Sequence, residues 1–470
     1  GSDAVRWYDF APTAPGRVFG IGMAIFVTPS LTPVTSVAGP LYGNEAFVAS
    51  LYRTLLHREP DAGGLNDWVG RLDRGEITRE RLVETFMKST EYTQQVMPIA
   101  RMYQAFLGRA PELAGLRYWV EVLRSGTSMD AIARSFATCA EAQAKFGSAW
   151  AASNEAFVDW AYQSVLGRDA EPAGRAHWVA QLAAGASRES LILSFVNSAE
   201  YQGQVDLALS AQLMYQALMR EALQPAEAQK WTEFLASNSL RSMAEKILHS
   251  DGYVRNFVQS TYRQALGRAA TAAEADAATA SLRAGKTTAS SFIDSLLTGT
   301  EYVQQVSPIV RLYATFLGRT PDQGGLEYWV GRLRNGMSLD DISRAFATCP
   351  EALGRYGDAW ALADEPFIDW LYQTILARPA DAGGKAHWLQ AFRAGASRET
   401  MIVTFIRSAE CCRRLDSLGQ VSVVYRVLLG READEAGRAH WRAHLDAGKG
   451  LQTMVEAFVA CPEFALAVVA

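Results

Sequence analysis

The chain has 470 residues, 49% hydrophobic and 20% charged, with a net charge of −5 and a pI near 5.8. This composition is ordinary for a globular protein large enough to bury more than one core, and it lacks the basic surplus of a nucleic-acid binder. No run of about 18 apolar residues occurs, so no membrane insertion is expected; the longest apolar stretch near the start, Gly20 to Val27, is short and is followed by Pro29.

Residues 1–43 differ from the rest. Gly1-Ser2 reads as a cloning remnant. Pro12, Pro15, Pro29, Pro33 and Pro40 predict a non-helical segment, and Trp7, Tyr8 and Phe10 form an aromatic cluster. From Asn44 onward one pattern repeats. Its arginine is read eight times, at Arg58, Arg109, Arg168, Arg220, Arg268, Arg319, Arg378 and Arg431. The spacings 51, 59 and 52 return as 51, 59 and 53, with an offset of 210 residues between the two series. Four units were therefore duplicated as a block, dividing the chain into residues 44–255 and 256–470. The expected fold is all-α: a helical repeat array of about eight three-helix units in two homologous four-unit halves.

In unit 1 a lead helix is predicted from about Asn44 to Leu56, with Phe47, Leu51 and Leu55 on one face. Pro60-Asp61 breaks it, and Asp61 caps the next helix, as Asp322, Asp381 and Asp434 do later. The middle helix carries Leu65, Trp68 and Leu72. It stops at a glycine suited to the left-handed cap: Gly75, Gly126, Gly185, Gly285, Gly336, Gly395 and Gly448. Unit 4 has Asn238 there, which is expected to take the same conformation. A closing helix follows a Ser or Thr cap, carries Phe86 or its equivalents, and is predicted to end near Glu91-Tyr92.

Most repeated residues read as architecture. Seven of the eight arginines lie 32 or 33 residues before a glutamate, from Arg58–Glu91 to Arg431–Glu463. A buried ion pair inside each unit is expected, with anion binding as the sharper alternative. The glycine four residues before each tryptophan (Gly64, Gly115, Gly174, Gly325, Gly384, Gly437) should permit close packing beside the indole. The tryptophans themselves (Trp68, Trp119, Trp178, Trp231, Trp329, Trp388, Trp441) should be largely buried. His177, His387 and His440 precede three of them without converging partners, so no metal site is expected. Cys139, Cys349 and Cys461 share one position near a helix end and read as buried free thiols. The adjacent Cys411 and Cys412 suit neither zinc nor a mutual disulfide. No nucleophile–base set and no cofactor motif is found.

Four tryptophans fall outside the periodic core. Trp150 and Trp360 sit in the longer connectors between units 2–3 and 6–7, and Trp160 and Trp370 follow ten residues on. They could plug the gap made by the longer connector, or form two equivalent ligand sites whose indoles stack on sugar rings.

The segments LYRTLLHREPDAGGLNDWVGRLDRGEITRERLVETFMKSTEY, FLGRTPDQGGLEYWVGRLRNGMSLDDISRAF and VLLGREADEAGRAHWRAHLDAGKG resemble the bacterial family called domain of unknown function 4214, over roughly residues 44–470. That family is similar in pattern to the helical linker domains of phycobilisomes. Units 4 and 5 depart from it: Glu227 replaces the helix glycine, Gly252 the glutamate and Ala278 the tryptophan. These central departures predict either a loose hinge or a surface freed for a task. The resemblance implies a helical repeat of secreted or surface proteins, with no activity to carry over. The leading expectation is a non-enzymatic secreted or cell-surface protein that binds an extended partner, a glycan or a surface protein. A linker that assembles itself or its partners is the second reading. A carbohydrate-active enzyme with a site between the halves is the third.

Overall fold

The computed structural model describes residues 43–429 and 432–460, which are helices and turns with no strand among them. The N-terminal aromatic cluster, Arg431, Cys461 and Glu463 lie outside the described residues.

Unit 1 shows the plan, with a lead helix Asn44–Thr54, a middle helix Ala62–Asp73 and a closing helix Arg79–Met87. Asp61 caps the middle helix by accepting from the Gly64 amide at 2.7 Å, and Asp322, Asp381 and Asp434 cap in the same way. All seven glycines that end middle helices have positive φ, from 64° to 98°. Asn238 does not follow them. It is extended (φ −134°, ψ 166°), and its side-chain amide donates to the Phe234 carbonyl at 2.9 Å. The side chain thus satisfies a carbonyl at this helix end without a left-handed turn.

The closing helix stops at Met87, earlier than expected. Ser89 then accepts from the Tyr92 amide at 3.2 Å, and a new helical stretch runs through Tyr92–Val96, Met97–Met102 and Tyr103–Leu107 as the lead helix of unit 2. Glu91 therefore belongs to the next unit's lead helix, so the Arg58–Glu91 pair joins consecutive units. Cys139 and Cys349 occupy the Ser89 position and cap through sulfur, accepting from Ala142 and Ala352 amides at 3.4 and 3.5 Å. They are half-buried helix caps rather than core thiols.

Lead helices end at a left-handed residue before the arginine: Gly108, Gly167, Gly267 and Gly318, but also His57 (φ 56°) and Ala377 (φ 57°). In unit 4 the lead helix is Ala199–Met219, and Arg220 itself has φ 59°. Arg220 thus fills the glycine place, and Glu221 stands in the arginine register. With that correction the spacing is 51, 59 and 53 in both halves, and the offset is 210 throughout. Gly252 stands where other units have glutamate, so unit 4 has lost both ends of its ion pair.

The units fold back on one another. In the first half, the closing helix of unit 1 packs on that of unit 4 (Leu240–Leu248), and that of unit 2 (Met129–Thr138) on that of unit 3 (Arg188–Val196). The second half repeats this, Ala289–Thr298 on Leu451–Ala460 and Leu339–Ala347 on Arg398–Arg407. Two arginines tie distant units: Arg101 forks onto Asp206 at 2.8 and 2.7 Å, and Arg311 onto Asp416 at 2.6 and 2.9 Å. The junction between halves is the continuous helix Asp251–Leu266, with Tyr253, Phe257, Val258 and Leu266 buried along it. It is not a loose hinge, and the 255/256 division falls inside it.

Candidate functional site

The extra residues that lengthen two unit spacings to 59 are inserted in the lead helices of units 3 and 7. In unit 3 the helix breaks into Ala140–Trp150 and Asn154–Ala161, with Ser153 capping the second piece by accepting from the Ala156 amide at 3.3 Å. In unit 7, Pro350–Tyr356 is followed by Gly357 at φ 70°, then a single 3-10 turn, Ala359–Ala361, then Asp364–Leu371.

These breaks place the four candidate tryptophans. Trp150 lies on Phe157 (centroids 4.8 Å apart), edge-on to Trp160 (5.8 Å), and against Phe106 (6.4 Å). Trp160 also meets Phe146 at 5.3 Å. In the second half Trp360 and Trp370 flank Phe367 at 5.8 and 5.6 Å, and Trp370 reaches Phe316 and Tyr356, both at 6.0 Å. An arginine clamps each break. Arg188 sits over Phe157 at 4.6 Å and donates to the Ala149, Trp150 and Ala152 carbonyls. Arg398 sits over Phe367 at 4.5 Å and donates to the Trp360 and Leu362 carbonyls. All four tryptophans are half-buried and packed against the core clusters. A shallow recess bordered by Phe106, Phe146, Trp150 and Trp160 in the first half has room for little more than one water molecule. The connector tryptophans thus fill the break while remaining half-buried.

The repeated arginines make the expected contacts. Arg58–Glu91, Arg109–Glu141, Arg168–Glu200, Arg268–Glu301, Arg319–Glu351 and Arg378–Glu410 pair at 2.6–3.1 Å. Each arginine also stacks on its unit's tyrosine, as Arg58 does on Tyr52 at 4.7 Å. The bond from Arg109 holds the Glu141 carboxyl below its usual range. The pairs are not buried, however: the Arg319 and Glu351 side chains keep 45% and 48% exposure. In unit 5, Glu274 replaces the helix glycine and bonds Arg268 at 2.7 Å, which holds its carboxyl at about 2.

The helix glycine serves the tyrosine more than the indole. A Cβ on Gly384 would clash with the Tyr372 hydroxyl, and the same clash recurs at Gly64, Gly115, Gly174, Gly325 and Gly437. Trp388 and Trp441 are buried as expected, but Trp68, Trp119, Trp178, Trp231 and Trp329 are only half-buried. Beside two of these stand the most exposed large hydrophobic side chains, Tyr118 (58%) and Tyr328 (53%). Each meets the following indole edge-on at 5.0 Å. The sequence signal was present, since Tyr118 and Tyr328 hold the place of His177 and His387, but their exposure was not readable. Cys411 is buried, and burial pushes its thiol up to about 12. No group of three or more metal-ligating side chains converges among the described residues.

The model of the family described as domain of unknown function (DUF4214) matches residues 39–96, 99–146, 133–205, 289–356, 343–415 and 417–468. The chain belongs to the DUF4214 family. The unmatched stretch, 206–288, holds most of units 4 and 5, where Glu221, Gly252, Glu274 and Ala278 depart from the pattern. No curated protein matches this DUF4214 chain.

His57 was passed over in the sequence. It is buried at a left-handed position where, among the described residues, four other units have glycine. Burial, with Arg124, Arg117 and Arg220 nearby, pushes its imidazole down to about 3. The folded state therefore holds it neutral. Below its unfolded pKa of about 6.5 the unfolded chain takes up a proton that the folded chain refuses, so stability falls as pH drops from about 6.5 toward 3. The expected slope from this group is about 1.4 kcal/mol per pH unit. Urea midpoints at pH 7 and 5 should fall further for the wild type than for His57→Asn, which keeps a residue tolerant of the left-handed backbone. Equal losses would contradict the buried neutral imidazole.

Proposed function

We propose that this DUF4214 protein is a non-enzymatic bacterial protein, secreted or displayed at the cell surface, that binds an extended partner, a glycan, through one aromatic surface in each half. The observation that carries this reading is the pair Tyr118 and Tyr328. Each is the exposed member of a tyrosine–tryptophan pair, at the same register in both halves. An exposed ring braced by an indole offers a rigid apolar face for a sugar at little entropic cost. The connector residues Trp150, Trp160, Trp360 and Trp370 are half-buried and take a supporting part. No helix among the described residues is long and apolar enough to cross a membrane.

A second reading, a linker that organises copies of itself or its partners, is favoured by the pairing of closing helices between non-consecutive units. Glycan-array binding of the intact chain separates the two. Titration of the best ligand should then lose one site in Tyr118→Ala or Tyr328→Ala and both in the double variant, with Trp150→Ala/Trp360→Ala weakening binding less. If no sugar binds and concentration-dependent oligomers form, the linker reading replaces the first.

A further inference from the structure

The surface between the two halves has the chemistry of a docking interface. Buried apolar residues fall into two separate clusters: one runs from Phe47 to Tyr253, the other from Phe257 to Phe458. Each half therefore has a core of its own. Two side chains cross: Ala46 belongs to the second-half cluster, and Tyr253, on the junction helix, to the first.

Four lead helices meet where the halves join. Asn44–Thr54 packs on Ala199–Met219 and on Ala409–Leu429, and Asp251–Leu266 packs on the same two. Exchanging the halves maps this set of contacts onto itself. That is the signature of an isologous, two-fold interface, in which the same patch serves both partners.

Several side chains at the join are polar and buried. Ser50 and Thr54 lie four and eight residues beyond Ala46, on the same helical face, and both are buried. The same positions 210 residues on are Asn256, Ser260 and Gln264. Ser260 and Gln264 are buried and bonded to each other at 3.2 Å, and Asn256 donates across the join to the Met219 carbonyl. Arg220 donates to Ser50 at 2.8 Å. Residues 216 and 426 are equivalent, and both are buried and polar, Gln216 and Arg426. Such a seam, unlike a continuous core, leaves each half a polar face when the two separate.

We propose that the four-unit half is an independently folding module, and that the face built from its first and last lead helices is a docking surface for a second four-unit module. In this chain that occupant is supplied in cis. The inference stands apart from the glycan reading, because it concerns the inner face and not the exposed tyrosines.

The test uses the full chain with a protease recognition sequence inserted between His249 and Ser250, so that Ser250 still caps the helix Asp251–Leu266. After cleavage the two fragments should co-elute as a one-to-one complex by size exclusion and native mass spectrometry, with unchanged helicity. Ser50→Arg with Ser260→Arg should make the cleaved fragments separate while each stays helical. If that variant fails to fold uncleaved, Asn256→Ala is the milder probe, and the cleaved complex should dissociate at a several-fold higher concentration than without the substitution. Cleavage that unfolds or aggregates both fragments would overturn the modular reading. Fragments that separate as folded monomers without any substitution would overturn the docking surface.

Discussion

Trp388→Ala should lower stability by about 3–5 kcal/mol, the range for truncating a buried large aromatic. Trp388 is 9% exposed and lies against Phe405 and Phe392, with centroids at 5.7 and 6.4 Å. Its removal leaves a cavity that the surrounding helices can fill only in part. Trp329 occupies the same register on the middle helix Gln323–Arg334 but is half-buried, so Trp329→Ala should cost clearly less. Because the two halves hold separate apolar clusters, urea unfolding followed by circular dichroism should show the Trp388 effect mainly in the transition of the second half. Equal midpoints for Trp388→Ala and wild type would refute the core assignment.

The second large effect is expected at Arg311, which the spacing of the repeat does not single out. Its side chain is 4% exposed, forks onto Asp416 and donates to the Ile406 carbonyl at 2.8 Å. Arg311→Met keeps the apolar stem but leaves the Asp416 carboxylate with only the Ser307 hydroxyl, at 2.9 Å, and removes the guanidinium from the Ile406 carbonyl. Losing one partner of a buried pair costs roughly 3–5 kcal/mol. Asp416 keeps about a third of its exposure, which places the expected loss at the lower end of that range. Arg319→Ala, at a half-exposed repeat pair, should cost only about 0–1 kcal/mol. Comparing the two variants in one urea titration checks the ranking, and a larger loss at Arg319 would reverse it. The contrast shows why the repeated Arg–Glu signal misled as to magnitude. Recurrence marks a contact that most units make, not one that is dry. Arg101–Asp206 and Arg311–Asp416 occur once per half and join residues 105 apart, yet they bury the arginine.

The candidate site was legible in part. The spacing of 59 located the two connectors, and the aromatic residues in them were visible. Whether those indoles plug or display depended on Phe157 and Phe367, against which they pack, and on Arg188 and Arg398, which sit over those two rings and hold the connector carbonyls. Tyr118 and Tyr328 looked like substitutes for histidine; like His177 and His387 they are exposed, and that exposure is visible only in the structure.

By itself the sequence determined the helices, most of their caps, the eight-fold unit and the offset of 210. These rest on signals a few residues long: an Asp accepting an amide three residues on, a glycine free to take positive φ, an apolar face every three or four residues. Tertiary structure alone decided that unit 1 closes on unit 4, that five of seven repeat tryptophans stay half-exposed, and that Arg220 fills a glycine's place. Those outcomes depend on which surfaces meet across one hundred or more residues. A short motif carries no information about the partner that will cover it, and burial is a property of the pair.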